Sequence, residues 1–283
     1  MNYQIKNSFI KAQIKSFGAE LNSLKKCDEN FEYIWQANSK YWARHSPVLF
    51  PIVGRLKEDS YFYKNKKYSL SQHGFARDKE FEIVQNEADF IEFRLKSDEK
   101  SLEFYPFFFE LNIGYKLDKN SLIVSYKVKN KSDEKMYFSI GAHPAFNTQV
   151  GDFLEFENIK TTKRYFLDEK GLIYKNEDLN LENNSKLCLD KDLFKDDALV
   201  FNDSNIKQIT LKNIENKSKV KVKFDNFPYL GIWSKPNDAP FVCIEPWFGV
   251  ADEENANQKI EDKKGILSLE KEEEFFCFYT IEV

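Results

Sequence analysis

Cross-linking and chain-breaking residues are scarce in this sequence, and what it lacks excludes several chemistries. Its four cysteines (Cys27, Cys188, Cys243 and Cys277) stand far apart, with no CxxC pair and no zinc-knuckle spacing. A disulfide scaffold is therefore not expected, and reduced thiols in the cytoplasm are. No run approaches 18 apolar residues, and residues 1–16 show no apolar stretch ending in a small-residue cleavage site, so neither a membrane span nor export is anticipated. Lys and Arg (42) nearly balance Asp and Glu (46), which leaves no basic excess for a nucleic-acid partner. No GxSxG elbow, GxxxxGK[ST] loop or GxGxxG turn is present, and no cofactor is called for. The three histidines form no His-x-His or HExxH pattern, so no catalytic metal is expected either.

Aromatic residues, by contrast, are abundant: 27 Phe, 14 Tyr and 4 Trp suit half-buried pleated surfaces. Period-two alternation in residues 121–130 and 218–224 predicts half-buried antiparallel strands. Turn clusters at residues 64–67, 117–120 and 130–133 fall at hairpin spacing. Helical stripes are weak, with short helical turns expected only near Asn38 to Ala43 and Lys191 to Lys195. No linker, repeat or low-complexity tract divides the chain, so a single all-β domain over residues 1–283, built as two packed sheets, is the simplest organisation.

Four segments break the charge-rich rhythm: residues 46–55, 72–77, 141–146 and 244–249. Each sets one or two ionisable side chains among Pro, Gly and aromatics, surroundings that fix a backbone and exclude water. His45, His73 and His143, all the histidines of the chain, lie in or beside them. Taken singly, each reads as a packed, hydrogen-bonded residue, but the repeated His-Gly and His-Pro settings favour a site at His73 and His143. Glu245 lies between Ile244 and Pro246-Trp247-Phe248 with no compensating charge beside it. It is either a buried carboxylate held by a partner or a general base of raised pKa. Arg55 and Arg77 suit a buried carboxylate or ligand hydroxyls equally well. Asp78 reads as a structural partner and Asp197 as a turn carboxylate, while Trp233 and Trp247 belong to the core or to the wall of a ligand site.

In order along the chain, Gly54-Arg55, Gln72-His-Gly-Phe-Ala-Arg-Asp78, Gly141-Ala-His-Pro-Ala-Phe146 and Glu245-Pro-Trp247 resemble the aldose 1-epimerase (galactose mutarotase-like) family, and more closely a bacterial LacX-like subgroup. The resemblance spans nearly the whole chain. It implies an antiparallel β-supersandwich with a shallow sugar cleft, with His73 and His143 as the family's two histidines and Glu245 as its catalytic glutamate. It also implies sugar contacts from Arg55 and from Asp197. In the galactose mutarotases the first histidine is typically followed by two glycines, whereas here the run is His73-Gly74-Phe75, so a preference for galactose or glucose does not carry over.

The reaction so implied opens a cyclic hemiacetal, rotates the C1–C2 bond and recloses the ring. It needs a base for the C1 hydroxyl proton and an acid for the ring oxygen. Glu245 as base and His143 as acid fill these roles, as an ion pair, with His73 positioning the sugar and Arg55, Arg77, Trp233 and Trp247 binding it. A 6-phosphorylated hexose, for which Arg44, Arg55 and Arg77 supply cations, and a non-catalytic sugar-binding module are the competing expectations. The expected partner is a small sugar, bound by a monomer or homodimer.

Overall fold

A computed structural model describes residues 1–157, 159–181, 185–190, 192–236 and 239–283. Its strands are antiparallel, as the alternation requires. The expected strand at residues 121–130 occurs as Ser121–Asn130, with Leu122, Val124, Tyr126 and Val128 buried, and it pairs with Phe109–Asp118 across the turn at Lys119 and Asn120. The second expected strand occurs as Ser218–Lys223.

Among the described residues two sheets dominate. One has nine strands, running from Lys186–Cys188 through Ser218–Lys223, Glu274–Glu282 and Ser121–Asn130 to Glu82–Asn86. The other has eight, in the order Ile173–Asn180, Thr161–Leu167, Leu199–Phe201, Tyr229–Trp233, Phe241–Phe248, Ile140–Ala142 and Val48–Leu49, with Ala145–Asn147 also paired to Phe241–Phe248. Leu111, Ile113, Val124 and Ile281 of the first sheet share one hydrophobic core with Ile140, Leu230, Ile232, Val242 and Ile244 of the second. The sheets therefore pack face to face, each fully buried aliphatic side chain contributing about 1.5–3 kcal/mol.

The eight-stranded sheet is covered on its other face too. Period-two geometry turns Phe241, Cys243, Glu245 and Trp247 away from the shared core, and they meet two further clusters. Trp247 packs with Val200, Tyr229 and Val250, while Phe241 and Cys243 pack with Trp35 and Ala145. A strand buried on both faces reads as a continuous apolar run, which is why Glu245 has no charged neighbour in sequence.

Helix is sparse among the described residues, and at the two places where short helical turns were expected the chain makes isolated hydrogen-bonded turns. The Asn38 carbonyl accepts from Tyr41 and Trp42 N–H in a turn, Lys191 lies outside the described residues, and residues 192–195 are turn. An α-helix occurs at Glu99–Phe104, started by a capping box between Asp98 and Ser101. Six residues are too few to display an apolar stripe. Among the described residues no helix is long and apolar enough to cross a membrane.

Buried Glu20 anchors the first unusual segment, accepting from His45 N–H at 2.7 Å, Ser46 N–H at 3.0 Å and Lys15 Nζ at 2.6 Å. Burial alone would raise its pKa, but His45 and Lys15 hold it at about 2. His45 is thus absorbed into this structural pair.

Candidate active site

Three strands form the floor of a cleft of about 300 Å³. Their register sets Val200 opposite Gly231 and Gly231 opposite Glu245. Because Gly231 has no side chain, the Trp247 indole lies over it, beside the strand position of Glu245. Glu245 is 1% exposed, and neither carboxylate oxygen has a well-aligned hydrogen-bond donor. Burial pushes its pKa well above the usual carboxylate range, and the negative charge of Asp197 pushes it further.

His143 lies just past the Ile140–Ala142 strand, held by the Pro144 loop that leads into Ala145–Asn147. Its Nε2 is 3.2 Å from Glu245 Oε2, a contact whose angle falls short of a formed hydrogen bond, and its Nδ1 has no partner. Burial lowers its pKa to about 3, with the charges of Arg77 and Arg44 acting in the same direction. The expected ion pair is therefore not what this setting favours. Dry surroundings place the proton of the pair on Glu245 and leave the imidazole neutral.

His73 meets His143 edge to face, ring centroids 5.6 Å apart. Its own backbone is left-handed at φ 66°, uncommon for a side chain of this size and a sign of local strain at a site. Two bonds hold it there: His73 N–H donates to the Gly54 carbonyl at 2.9 Å, and Gly54 N–H donates to His73 Nδ1 at 3.2 Å. The next residue, Gly74, also has positive φ, and a Cβ there would stand 2.3 Å from the Phe50 carbonyl oxygen, so only glycine fits. An accepting Nδ1 puts the ring proton on Nε2. Burial, aided by His143 and Arg77, keeps the ring neutral by lowering its pKa well below the usual value.

Of the two expected arginines, the structure brings one to the cleft. Arg77 lines it, donating to the Gln72 carbonyl at 2.7 Å and keeping Nε unpartnered. Burial and the nearby Arg44 lower its pKa to about 10, so it stays cationic at neutral pH. Arg55 turns instead into an adjoining depression, where its guanidinium forms a two-pronged pair with Asp59 at 2.7 and 2.8 Å. The fork that would bind hydroxyls is thus already occupied. Asp197 reaches the cleft wall, its backbone left-handed at φ 71° and one carboxylate oxygen accepting from Ala198 N–H at 2.7 Å. Asp78 is structural, shared by Arg44 at 2.9 Å and Arg77 at 3.8 Å.

A family model described as aldose 1-epimerase matches residues 1–264. The chain belongs to the aldose 1-epimerase family. Protein LacX of Lactococcus lactis subsp. lactis is 33% identical, with 95% of each chain covered. Among solved structures, a galactose mutarotase related enzyme from Lactobacillus acidophilus is 38% identical, with all of this chain and 97% of that one covered at a TM-score of 0.95. A galactose mutarotase-like protein from Lactobacillus casei is 30% identical, covering all of this chain and 99% of that one at a TM-score of 0.94. The β-supersandwich architecture of these relatives is the fold of this chain.

Trp247 and Trp233 both line the cleft of this family member. Trp247 lies flat against its sheet, its Nε1 donating to the Ala142 carbonyl at 3.2 Å. Two glycines clear its bed: a Cβ at Gly231 would stand 2.3 Å from the indole, and one at Gly141 would stand 2.5 Å away. We expect Gly231→Ala to lower stability by about 1–3 kcal/mol in thermal denaturation, because the added methyl would force the indole off its bed. A Gly231→Ala protein that melts with the wild type would show that the close approach is not needed.

Sequence reasoning missed Trp42, which lines the cleft and stacks on His143, because an isolated Trp in an irregular segment has no periodicity to betray it. His143, Cys243 and Glu245 carry ligand-type atoms within 4.8 Å of one another, the spacing of an ion site. Burial and the Glu245 charge, however, push the Cys243 thiol up, and the thiol packs in the aromatic layer outside the cleft lining. The arrangement suits a shared proton better than a cation.

Proposed function

We propose that the protein interconverts the α and β anomers of a free hexose by paired general acid and base catalysis. The 3.2 Å approach of His143 Nε2 to Glu245 Oε2 on the floor of a hexose-sized cleft carries this reading. Ionised Glu245 takes the C1 hydroxyl proton while the His143 imidazolium gives one to the ring oxygen. The C1–O5 bond breaks, the aldehyde rotates about C1–C2, and the two groups exchange roles as the ring recloses. The proton His143 needs is the one that burial leaves on Glu245. At this separation it passes directly between them without changing the net charge of the pair, and the two opposite charges it creates are held by their mutual attraction.

Neutral His73 donates from Nε2 to a sugar oxygen, Arg77 and Asp197 bind hydroxyls, and Trp233 and Trp247 offer flat faces to the C–H side of the ring. Polarimetry of freshly dissolved α-D-glucose and α-D-galactose is the direct test, and equilibration no faster than buffer would sink the proposal. Arg44 and Arg77 converge on the single carboxylate of Asp78, leaving a net cationic rim that favours a 6-phosphorylated hexose as the second reading. The same experiment on the 6-phosphates decides between them.

The division between the arginines gives a further expectation. Arg77→Ala should raise KM about 10–100-fold, the cost of one charge-assisted hydrogen bond, whereas Arg55→Ala leaves the kinetics near wild type. Reversal of the two results would return the sugar-binding role to Arg55.

A further inference from the structure

The two cleft histidines are held in different ways. His73 is pinned through Nδ1 by a backbone N–H. For His143 no hydrogen bond sets the ring plane, since Nδ1 is unpartnered and the Glu245 contact is poorly aligned. What touches its face is Trp42, stacked at 4.9 Å and 26°. Trp42 is in turn the end of an aromatic ladder: Trp35 on Phe241 at 4.8 Å and 28°, then Phe241 on Trp42 at 5.7 Å and 19°. Trp233 closes the side, edge-on to both Trp42 and His143. The backbone locks the same unit, with Trp35 Nε1 donating to the Trp42 carbonyl at 2.9 Å and Trp42 N–H donating to the Asn38 carbonyl at 3.0 Å.

We propose that Trp42 is the positioning residue for His143, holding the imidazole plane toward Glu245 and stabilising the imidazolium through the face of its indole. This rests on the epimerase reading above. An electron-rich indole face attracts a cation most strongly where water is excluded. The need is real here, because burial, Arg77 and Arg44 all oppose a positive charge on His143, against which stand its own backbone, the more distant Glu20 and the 3.2 Å approach of Glu245. A bulky aliphatic side chain would fill the volume and supply neither the plane nor the charge.

Trp42→Leu should lower kcat about tenfold with KM changed less than about twofold, and Trp42→Phe should recover most of the loss. Proton NMR at neutral pH supplies a readout independent of activity. The Trp42 part of the ring-current shift of the His143 carbon-bound protons should be lost in Trp42→Leu, leaving that of Trp233, and largely persist in Trp42→Phe, and with three histidines in the chain the signals can be assigned by single replacements. Unchanged kcat in Trp42→Leu, a loss confined to KM, or a Phe variant as impaired as the Leu variant would overturn the proposal. If the wild type turns over no aldose, the epimerase reading fails on its own and the imidazole spectrum still decides whether Trp42 holds the ring.

Discussion

Glu245→Gln is expected to lose about 10²–10⁴-fold in kcat by polarimetry while melting at a higher temperature than the wild type at neutral pH. The loss follows from removing the carboxylate that the proposed mechanism uses to take the C1 hydroxyl proton. The stability gain follows from burial. Folding raises the Glu245 pKa, so its contribution is fully present only below the unfolded value of about 4.3 and is lost as pH climbs toward the folded value. At pH 7 the wild type therefore carries a penalty that the isosteric amide lacks. The advantage of the variant should shrink toward zero as pH falls to about 4, where the wild-type carboxyl is protonated in both states. A Gln variant with near wild-type turnover would remove Glu245 from the chemistry. One that is inactive but less stable than wild type at pH 7 would show that the carboxylate has a structural partner in solution.

His143→Asn should cost activity on the same scale, about 10²–10⁴-fold, and combining it with Glu245→Gln should cost little more than either alone. The non-additivity is the sharper part. Two groups that share one proton fail as a unit, whereas independent acid and base contributions would multiply. The His143 pKa falls to about 3 on folding, so its contribution to stability is fully present above the unfolded value of about 6.5 and drains away as pH falls below it, at about 1.4 kcal/mol per pH unit. His73, also lowered, adds a parallel slope. The wild type should thus lose stability steeply from pH 6.5 downward, and His143→Asn should lose it less steeply, as chemical denaturation at successive pH values would show. Equal slopes would mean that the ring is protonated in the folded state already.

The two effects oppose each other along the pH axis, because the carboxyl favours acid and the imidazoles favour alkali. The cleft therefore costs stability at every pH near neutrality, through either Glu245 or the histidines. That is the usual signature of a site whose groups are kept in the protonation states its chemistry needs.

Much of this was legible from the residues alone. Strict alternation marked Ser121–Asn130 and Ser218–Lys223 because those strands bury one face. The segments around His73, His143 and Glu245 stood out because ionisable groups among Pro, Gly and aromatics are costly unless used. The six-residue helix was invisible because it is shorter than two turns and depends on a capping box. Arg55 and Arg77 were indistinguishable because each follows a small residue in a similar segment. The choice between them rests on Asp59, four residues beyond Arg55, whose carboxylate takes that guanidinium out of the cleft.

By itself, then, the sequence determined the all-β class and the family through its four ordered motifs, and it nominated His73, His143 and Glu245 as the candidate site. These follow from local periodicity and residue chemistry, which the chain carries wherever it folds. The tertiary structure alone decided that Glu245 and His143 come within 3.2 Å, that burial raises the carboxyl pKa and lowers that of the imidazole, and that Trp42, about a hundred residues earlier in the chain, stacks on the imidazole. Distance, desolvation and ring stacking are properties of surfaces brought together from remote parts of the chain, and no spacing along the sequence encodes them.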